Sequence, residues 1–167
     1  YLSLFYLDPY PREGQKQSGA WASALLPAGQ FEGKPRRPHT ANVLNLPEPV
    51  GGQPSLLRLI DVVTVFHEMG HALHLILTKA RYPSQAGTNV SLDFVELPSQ
   101  INEFYAFEAL SFYAKHSTDG TDIPKELVQK VIEAKRFQAA RFGLRQIGLG
   151  RIDWQWHAQE DLSHVNT

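Results

Sequence analysis

Apolar side chains are densest between residues 56 and 77, where they cover nearly every side of a helical projection. The apolar positions are Leu56, Leu57, Leu59, Ile60, Val62, Val63, Val65, Phe66, Leu73, Leu75, Ile76 and Leu77. A helix that is apolar all round packs inside a protein rather than on its surface. The pattern therefore predicts a buried helix over residues 55–79, with Ser55 as its N-cap.

The first part of the chain carries short apolar stretches separated by Pro and Gly, which is typical of strands and loops. Residues 1–47 are accordingly predicted as β-strands and loops, with strands over 1–7, 20–26 and 40–46. The basic stretch 30–39 is predicted as a loop between the last two strands. Pro and Gly over 47–54 predict a linker into the apolar helix.

Helices dominate the rest of the predicted fold. Asp93 and Glu96 have the spacing of a capping box, whereas Pro98 removes a backbone donor, so a kinked or late-starting helix is expected over 92–116. Apolar residues at helical spacing predict another helix over 123–148, ended by glycines, and a further helix over 152–167. The expected fold class is mostly α with a small N-terminal β-sheet (α+β), as one catalytic domain or subdomain over 1–167.

Composition narrows the function classes. Apolar residues make up 43% of the chain and charged residues 20%, which is ordinary for a globular protein. The net charge of −1 offers no electrostatic basis for binding nucleic acid or an anionic membrane. The chain has no cysteine, which excludes disulfides, thiolate metal sites and cysteine nucleophiles and fits a reducing, cytoplasmic location. No apolar run is expected to reach membrane-spanning length.

The apolar helix carries a His-Glu-x-x-His motif at His67, Glu68 and His71. Residues four apart lie on the same helix face about 6 Å apart, so the two imidazoles can share one metal ion. Glu68 lies about 100° further round the helix, where a base can take a proton from a water on the metal. The motif indicates a zinc peptidase; two core histidines hydrogen-bonded to the backbone are the alternative.

A catalytic zinc usually has three protein ligands and one open position. Glu96 on the next predicted helix is the best candidate for the third ligand, with Glu103 and Glu108 as rivals further along that helix. His74 shares the face of the motif but is expected to be a packed core histidine. Asp61 is a candidate for orienting a ligand, and a capping or surface role is the alternative for it.

The residues around the motif resemble the thimet oligopeptidase family of zinc peptidases, most closely its bacterial peptidyl-dipeptidase (dipeptidyl carboxypeptidase) branch. The similar stretches are 61–74, 87–90 and 93–103, together with 5–8 and 12–14. The resemblance implies a zincin-like catalytic region, in which an active-site helix is followed by a second helix that carries a ligand. It also implies short peptide substrates that enter through a deep channel.

The resemblance further implies one zinc ion per chain, bound by His67, His71 and Glu96, with Glu68 as general base. Candidates for residues that support these ligands are Asp61, Gln100 and Glu103. Candidates for contacts to the substrate are Gly87, Thr88 and Asn89. Three tyrosines are available to stabilise an oxyanion, without a choice among them: Tyr82, Tyr105 and Tyr113.

Three questions stay open from the sequence. The activity can be that of an endopeptidase or of an enzyme that removes C-terminal dipeptides. A non-catalytic module with a structural zinc is the rival from another class, and a fourth ligand such as His74 would support it. The Gly- and Tyr-rich segment of the resembled family has no counterpart here, so the chain is expected to be a fragment or a reduced relative. The oligomeric state is not predicted.

Overall fold

The computed structural model describes residues 1–115 and 119–158. Contacts divide the chain into two compact units, Tyr1–Asp122 and Ile123–Thr167, which are described separately. Among its described residues, the first unit contains five strands and four α-helices: β1 (Leu4–Asp8), β2 (Trp21–Leu26), β3 (Gly29–Phe31), β4 (Lys34–Arg36), β5 (His39–Val43), α1 (Leu59–Leu77), α2 (Leu92–Val95), α3 (Leu97–Glu108) and α4 (Leu110–Tyr113). The second contains α5 (Lys125–Arg136) and α6 (Ala139–His157). A mostly helical chain with a small mixed sheet is compatible with the predicted α+β class.

The three predicted strands form one sheet with the strand order β1-β5-β2. β1 runs parallel to β5, with Leu4 opposite His39, whereas β2 runs antiparallel to β5, with Trp21 opposite Val43. β2 is therefore the last strand on one side of this sheet. α1 packs against β5 and β2, so the helix that carries the His-Glu-x-x-His motif lies beside that end of the sheet.

The predicted loop over 30–39 is wrong, because β3 and β4 form a two-stranded antiparallel hairpin there. Its turn residues Glu32 and Gly33 both have positive φ angles, 50° and 77°. Two consecutive positive φ angles match the right-handed twist of a hairpin, and glycine adopts such an angle without strain. Pro35 in β4 is tolerated because a hairpin strand has an edge that needs no ladder donor.

α1 begins later than predicted, at Leu59 rather than near residue 55. Arg58 is the N-cap, and Asp61 accepts a hydrogen bond from its backbone N–H at 2.9 Å, which is one half of a capping box. The predicted cap, Ser55, instead donates its hydroxyl to the carbonyl of Pro47. The start of α1 is thus determined by an acidic side chain in its first turn, and not by a hydroxyl side chain before the helix.

α1 is only partly buried, which corrects the prediction of a buried helix. Its buried residues are Glu68, Gly70, Ala72 and Leu75. Ile60 and Leu77, by contrast, are 59% and 58% exposed. α3 packs against α1 beside Gly70, and β5 and β2 also pack against this helix.

The length and mean hydropathy of α1, 19 residues and 1.2, reach the threshold for a membrane span. The expectation that no apolar run has that length is therefore wrong. By length and composition, a core helix of a globular protein meets the same threshold. The contacts of α1 with α3 and the sheet are those of a core helix.

The predicted helix over 92–116 is interrupted twice and consists of α2, α3 and α4. Glu96 is the C-cap of α2 and the N-cap of α3, two residues before Pro98 in the first turn of α3. Proline fits a first turn because its missing N–H has no helical partner there. α4 ends at Tyr113, and the predicted end near His116 lies outside the described residues.

In the second unit, the predicted division between helices is in the wrong place. α5 ends at Arg136, and Gln138 before α6 has a positive φ of 55°. The predicted break at Gly148 and Gly150 lies inside α6, which continues to His157. Glycine inside a helix costs about 1 kcal/mol relative to alanine, which a long helix can absorb. The predicted helix over 152–167 is the end of α6 as far as the structure describes it.

Candidate metal centre

α1 and α3 are in close contact at Gly70, one residue before His71. A Cβ atom built on Gly70 would lie 2.5 Å from the Ser99 Cα and 2.6 Å from the Pro98 carbonyl oxygen. Real Cβ atoms do not approach backbone atoms so closely, so only glycine allows this contact. One turn away, the amide of Asn102 donates to the Phe66 carbonyl at 2.5 Å. These contacts hold the first turns of α3 against the middle of α1.

Three predicted ligands meet where the two helices touch. Glu96 Oε2 lies 3.2 Å from His67 Nε2 and 3.1 Å from His71 Nε2. The three candidate ligand atoms lie within 4.8 Å of one another, and this is the group that can hold a metal among the residues described. Zinc bonds of about 2.0–2.1 Å at tetrahedral angles place ligand atoms about 3.3 Å apart. The donor set and its spacing fit zinc.

Glu103 is positioned behind His67. Its Oε1 lies 2.7 Å from His67 Nδ1, which makes Nδ1–H the donor and Glu103 the acceptor. The proton on Nδ1 leaves the lone pair of Nε2 free on the side that faces Glu96. The two carboxylates thus contact opposite edges of one imidazole.

His71 is held differently. Its side chain is 12% exposed, and its buried Nδ1 has no hydrogen-bond partner in the described part of the chain. Burial lowers the pKa of His71, and this effect exceeds the opposing influence of Glu96. The neutral imidazole is the form that donates a lone pair to a metal.

Glu68 lies within the same cleft but offers no atom to the ligand group. It is 6% exposed, and its Oε2 has no partner in the part of the chain that the structure describes. Burial raises the pKa of Glu68, the charge of Glu96 raises it further, and His67 opposes both. An unpaired buried carboxylate oxygen is costly. A water or substrate group in the cleft would satisfy it.

The cleft in front of these side chains has a volume of about 350 Å³. Its lining combines the motif with β2 and the loop before α2: Ala20, Trp21, Ala22, His67, Glu68, His71, Thr88, Val95 and Glu96. Of the predicted substrate contacts, Thr88 lines this cleft. Gly87 and Asn89 line a neighbouring cavity of about 300 Å³, together with Thr88 and residues 22–24 of β2.

The structure separates the other candidates from the ligand group. Asp61 pairs with Arg58 at the start of α1, and the Gln100 side chain is exposed while its backbone N–H donates to the Glu96 carbonyl. His74 packs edge-on against Phe94, with the ring centroids 6.1 Å apart.

The tyrosines predicted as oxyanion candidates also lie apart from the ligands. The Tyr113 hydroxyl donates to the Ala106 carbonyl, and Tyr82 and Tyr105 are mostly exposed. The oxyanion donor therefore stays unassigned.

Sequence reasoning missed Ser99, Asn102 and Gly70. The Ser99 hydroxyl lies 2.7 Å from Glu96 Oε2, and this hydrogen bond is the main cause of the lowered pKa of Glu96. A serine three residues after a capping position is a recognisable signal, because it faces the capping side chain across one helical turn. The close contact at Gly70 has no comparable signal, since it depends on the partner helix.

Comparison with known proteins places this site in a family. The chain matches the family model "Peptidase family M3" over residues 1–167. It is 41% identical over 161 residues to oligopeptidase A of Escherichia coli, covering 93% of this chain and 23% of that protein. It is 38% identical over 162 residues to dipeptidyl carboxypeptidase of Salmonella typhimurium, covering 96% and 23%. A thimet-like oligopeptidase of Dictyostelium discoideum is 38% identical over 174 residues, covering 99% and 25%.

The chain spans about a quarter of the length of these relatives. The match to the family model nonetheless extends over all residues of the chain, and the resemblance found in the sequence is confirmed. The chain belongs to peptidase family M3.

Proposed function

We propose that the chain is the metal-binding part of a zincin-like peptidase that hydrolyses short peptides. The observation that carries this proposal is the approach of Glu96 Oε2 to both His67 Nε2 and His71 Nε2, at 3.2 and 3.1 Å. The names of the relatives, oligopeptidase A and dipeptidyl carboxypeptidase, describe the same class of reaction in those proteins. Membership of peptidase family M3 supports a metallopeptidase.

His67, His71 and Glu96 would hold one zinc ion, and Glu103 would fix the orientation of His67 through its Nδ1–H. Zinc bound there supplies a Lewis acid that lowers the pKa of water and polarises a carbonyl. Glu68 accepts the proton of the attacking water and passes it to the leaving amine. Burial and the raised pKa of Glu68 suit this role, because they strengthen it as a base.

β2 is the proposed guide for the substrate. It is the last strand of its sheet, and residues 20–22 at its start line the cleft together with the motif. An extended peptide can add to such a strand by backbone hydrogen bonds, which would present a carbonyl to the motif. Thr88 lies in the same cleft and is the proposed side-chain contact.

The contacts favour a catalytic rather than a structural metal. A closed structural site would need a fourth protein ligand, for which His74 was the candidate. His74 instead packs against Phe94, and the candidate group consists of His67, His71 and Glu96 among the residues described. Three ligands leave a position for water. The cytoplasmic location and the absence of nucleic-acid and membrane partners stay predictions.

The first test combines metal analysis with Glu68→Gln. We expect about one zinc per chain in both proteins and a 10²–10⁴-fold lower peptidase rate in Glu68→Gln, because glutamine cannot accept the proton. Equal rates in the two zinc-loaded proteins would reject the assignment of Glu68. Wild-type protein that takes up no zinc would reject the function itself.

A second assay separates the two specificities. A quenched fluorescent peptide is offered with a free and with a blocked C-terminus. An enzyme that removes C-terminal dipeptides leaves the blocked peptide intact, whereas an endopeptidase cleaves both. The relatives include a dipeptidyl carboxypeptidase and an oligopeptidase A, and the assay tests which specificity the proposed site of this chain has.

A further inference from the structure

Ser99 is completely buried at the contact between α1 and α3. Its hydroxyl lies 2.7 Å from Glu96 Oε2 and 2.8 Å from the Glu96 backbone carbonyl. Glu96 Oε2 is the oxygen that faces both imidazoles. The hydroxyl is therefore in contact with the atom that would bind the metal.

A hydroxyl has one proton, so Ser99 can donate to only one of these two acceptors at a time. The Glu96 carbonyl already accepts the Gln100 backbone N–H at 2.9 Å. The carboxylate carries the charge, and hydrogen bonds to charged acceptors are stronger than those to neutral ones. The Ser99 hydroxyl consequently donates its proton to Glu96 Oε2.

The backbone of Ser99 also makes a close contact, with Gly70 of α1. Its Cα faces Gly70 at a distance that would leave a Cβ on Gly70 only 2.5 Å away. Gly70 lies between His67 and His71 on α1. Ser99 thus contacts the helix of the two histidines through its backbone and the third ligand through its hydroxyl.

We propose that Ser99 is a positioning residue that holds Glu96 Oε2 in line with the two imidazoles. The proposal rests on the proposed zinc site. One lone pair of Oε2 accepts the Ser99 hydroxyl, which leaves the other for the metal and favours binding through a single oxygen. Free rotation of the Glu96 carboxylate would otherwise have to be lost when the metal binds.

The test measures the zinc dissociation constant by competition with a chromophoric chelator in the whole chain, for wild type and Ser99→Ala. Loss of a group that orients a ligand typically weakens metal binding 10–100-fold, and that range is expected here. Ser99→Gly, which also removes the hydroxyl and adds no metal ligand, is expected to show a similar loss. It also serves as the readout if Ser99→Ala does not fold.

Asn102→Ala is the matched control, because Asn102 bonds α3 to α1 without touching Glu96. The stability of each zinc-free protein is measured alongside. If Ser99 acts only by holding the helices together, Asn102→Ala will weaken zinc binding as much as Ser99→Ala at a similar loss of stability, and the proposal is overturned. It is equally overturned if Ser99→Ala binds zinc within threefold of wild type.

Failure of the proposed function has a different signature. If the wild-type protein has no measurable zinc affinity, the proposed zinc site itself is rejected, whatever the variants do. If the wild-type protein binds zinc tightly and Ser99→Ala has the same zinc affinity, only the proposed role of Ser99 is rejected. Cobalt substitution adds a spectroscopic check, since a change in coordination at Glu96 alters the visible absorption of bound Co²⁺.

Discussion

The face shared by α1 and α3 and the surface of α6 are built on opposite principles. On the α1–α3 face, Gly70 allows a backbone contact that no other residue would permit, and the polar side chains around it contact one another. On α6, a Cβ added to Gly143, Gly148 or Gly150 would meet no heavy atom of the described residues within 4 Å. The same residue type is thus required in one helix and replaceable in the other, which shows where packing determines the sequence.

The largest expected effect comes from Gly70→Ala. Alanine favours a helix, but its Cβ would collide with the backbone of Ser99 and Pro98, which cannot move without displacing α3. We expect a loss of about 1–3 kcal/mol in the free energy of unfolding, together with weaker zinc binding. Urea denaturation of the zinc-free proteins checks the first effect. An unchanged midpoint would mean that the two helices do not approach as closely as described.

Glu103→Gln tests the support behind His67. Glutamine keeps the shape of the side chain but removes the charge that accepts the Nδ1–H, so the orientation and basicity of the imidazole both suffer. A 10–100-fold weaker zinc affinity is expected, with little change in the stability of the zinc-free protein. Glu108→Gln on the same helix is the control, and equal losses in the two variants would contradict the role of Glu103.

Much of the first unit could be predicted from its sequence, because strong local patterns agree with the fold. β2 falls within its predicted strand, and β1 and β5 overlap theirs with one residue outside each. The spacing of His67 and His71 places both imidazoles on one helix face. The interruption of the helix near Pro98 also follows from local chemistry. The prediction that Glu96 lies beside the imidazoles rested on the resemblance to the thimet oligopeptidase family as well as on the spacing.

Other features depend on interactions that the local sequence does not reveal. Glu32-Gly33 is a weaker turn signal than Asn-Gly, so the β3–β4 hairpin was predicted as a loop. Gln138 has a positive φ although it is neither glycine nor asparagine, so the break before α6 carries no glycine signal. The end of the helix was instead predicted at Gly148 and Gly150, which lie inside α6. Ser99 is uncharged, and its role appears only when Glu96 is placed beside it.

Gly148→Ala is the counterpart of Gly70→Ala and should have the opposite sign. Within the part of the chain that the structure describes, no heavy atom obstructs a Cβ at this position, and alanine reduces the conformational freedom of the unfolded chain. We expect stabilisation of up to about 1 kcal/mol, measured as a higher urea midpoint, with unchanged zinc affinity. Destabilisation would show that a group outside the described contacts packs against this glycine.

The smallest effect concerns Asp8 at the end of β1, a third kind of region in which charge rather than packing is decisive. Asp8 accepts a bidentate pair from Arg12 at 2.7 Å and lies 3.2 Å from the Lys16 ammonium. The hydrogen bond from Arg12 holds the pKa of Asp8 well below its ordinary value of 3.8, and Lys16 adds to this effect. A pKa lowered by folding stabilises the protein above the unfolded value, and this contribution is lost as the pH falls below it.

Asp8→Asn should therefore lower the stability near pH 7, and its difference from wild type should shrink progressively below about pH 4. The pair is exposed, so added salt should reduce the effect as well. Zinc affinity should not change, because Asp8 contacts neither α1 nor α3 through these bonds. If the difference in stability between Asp8→Asn and wild type is constant with pH, the loss is due to packing rather than charge. The end of β1 would then resemble the α1–α3 face, where packing is decisive.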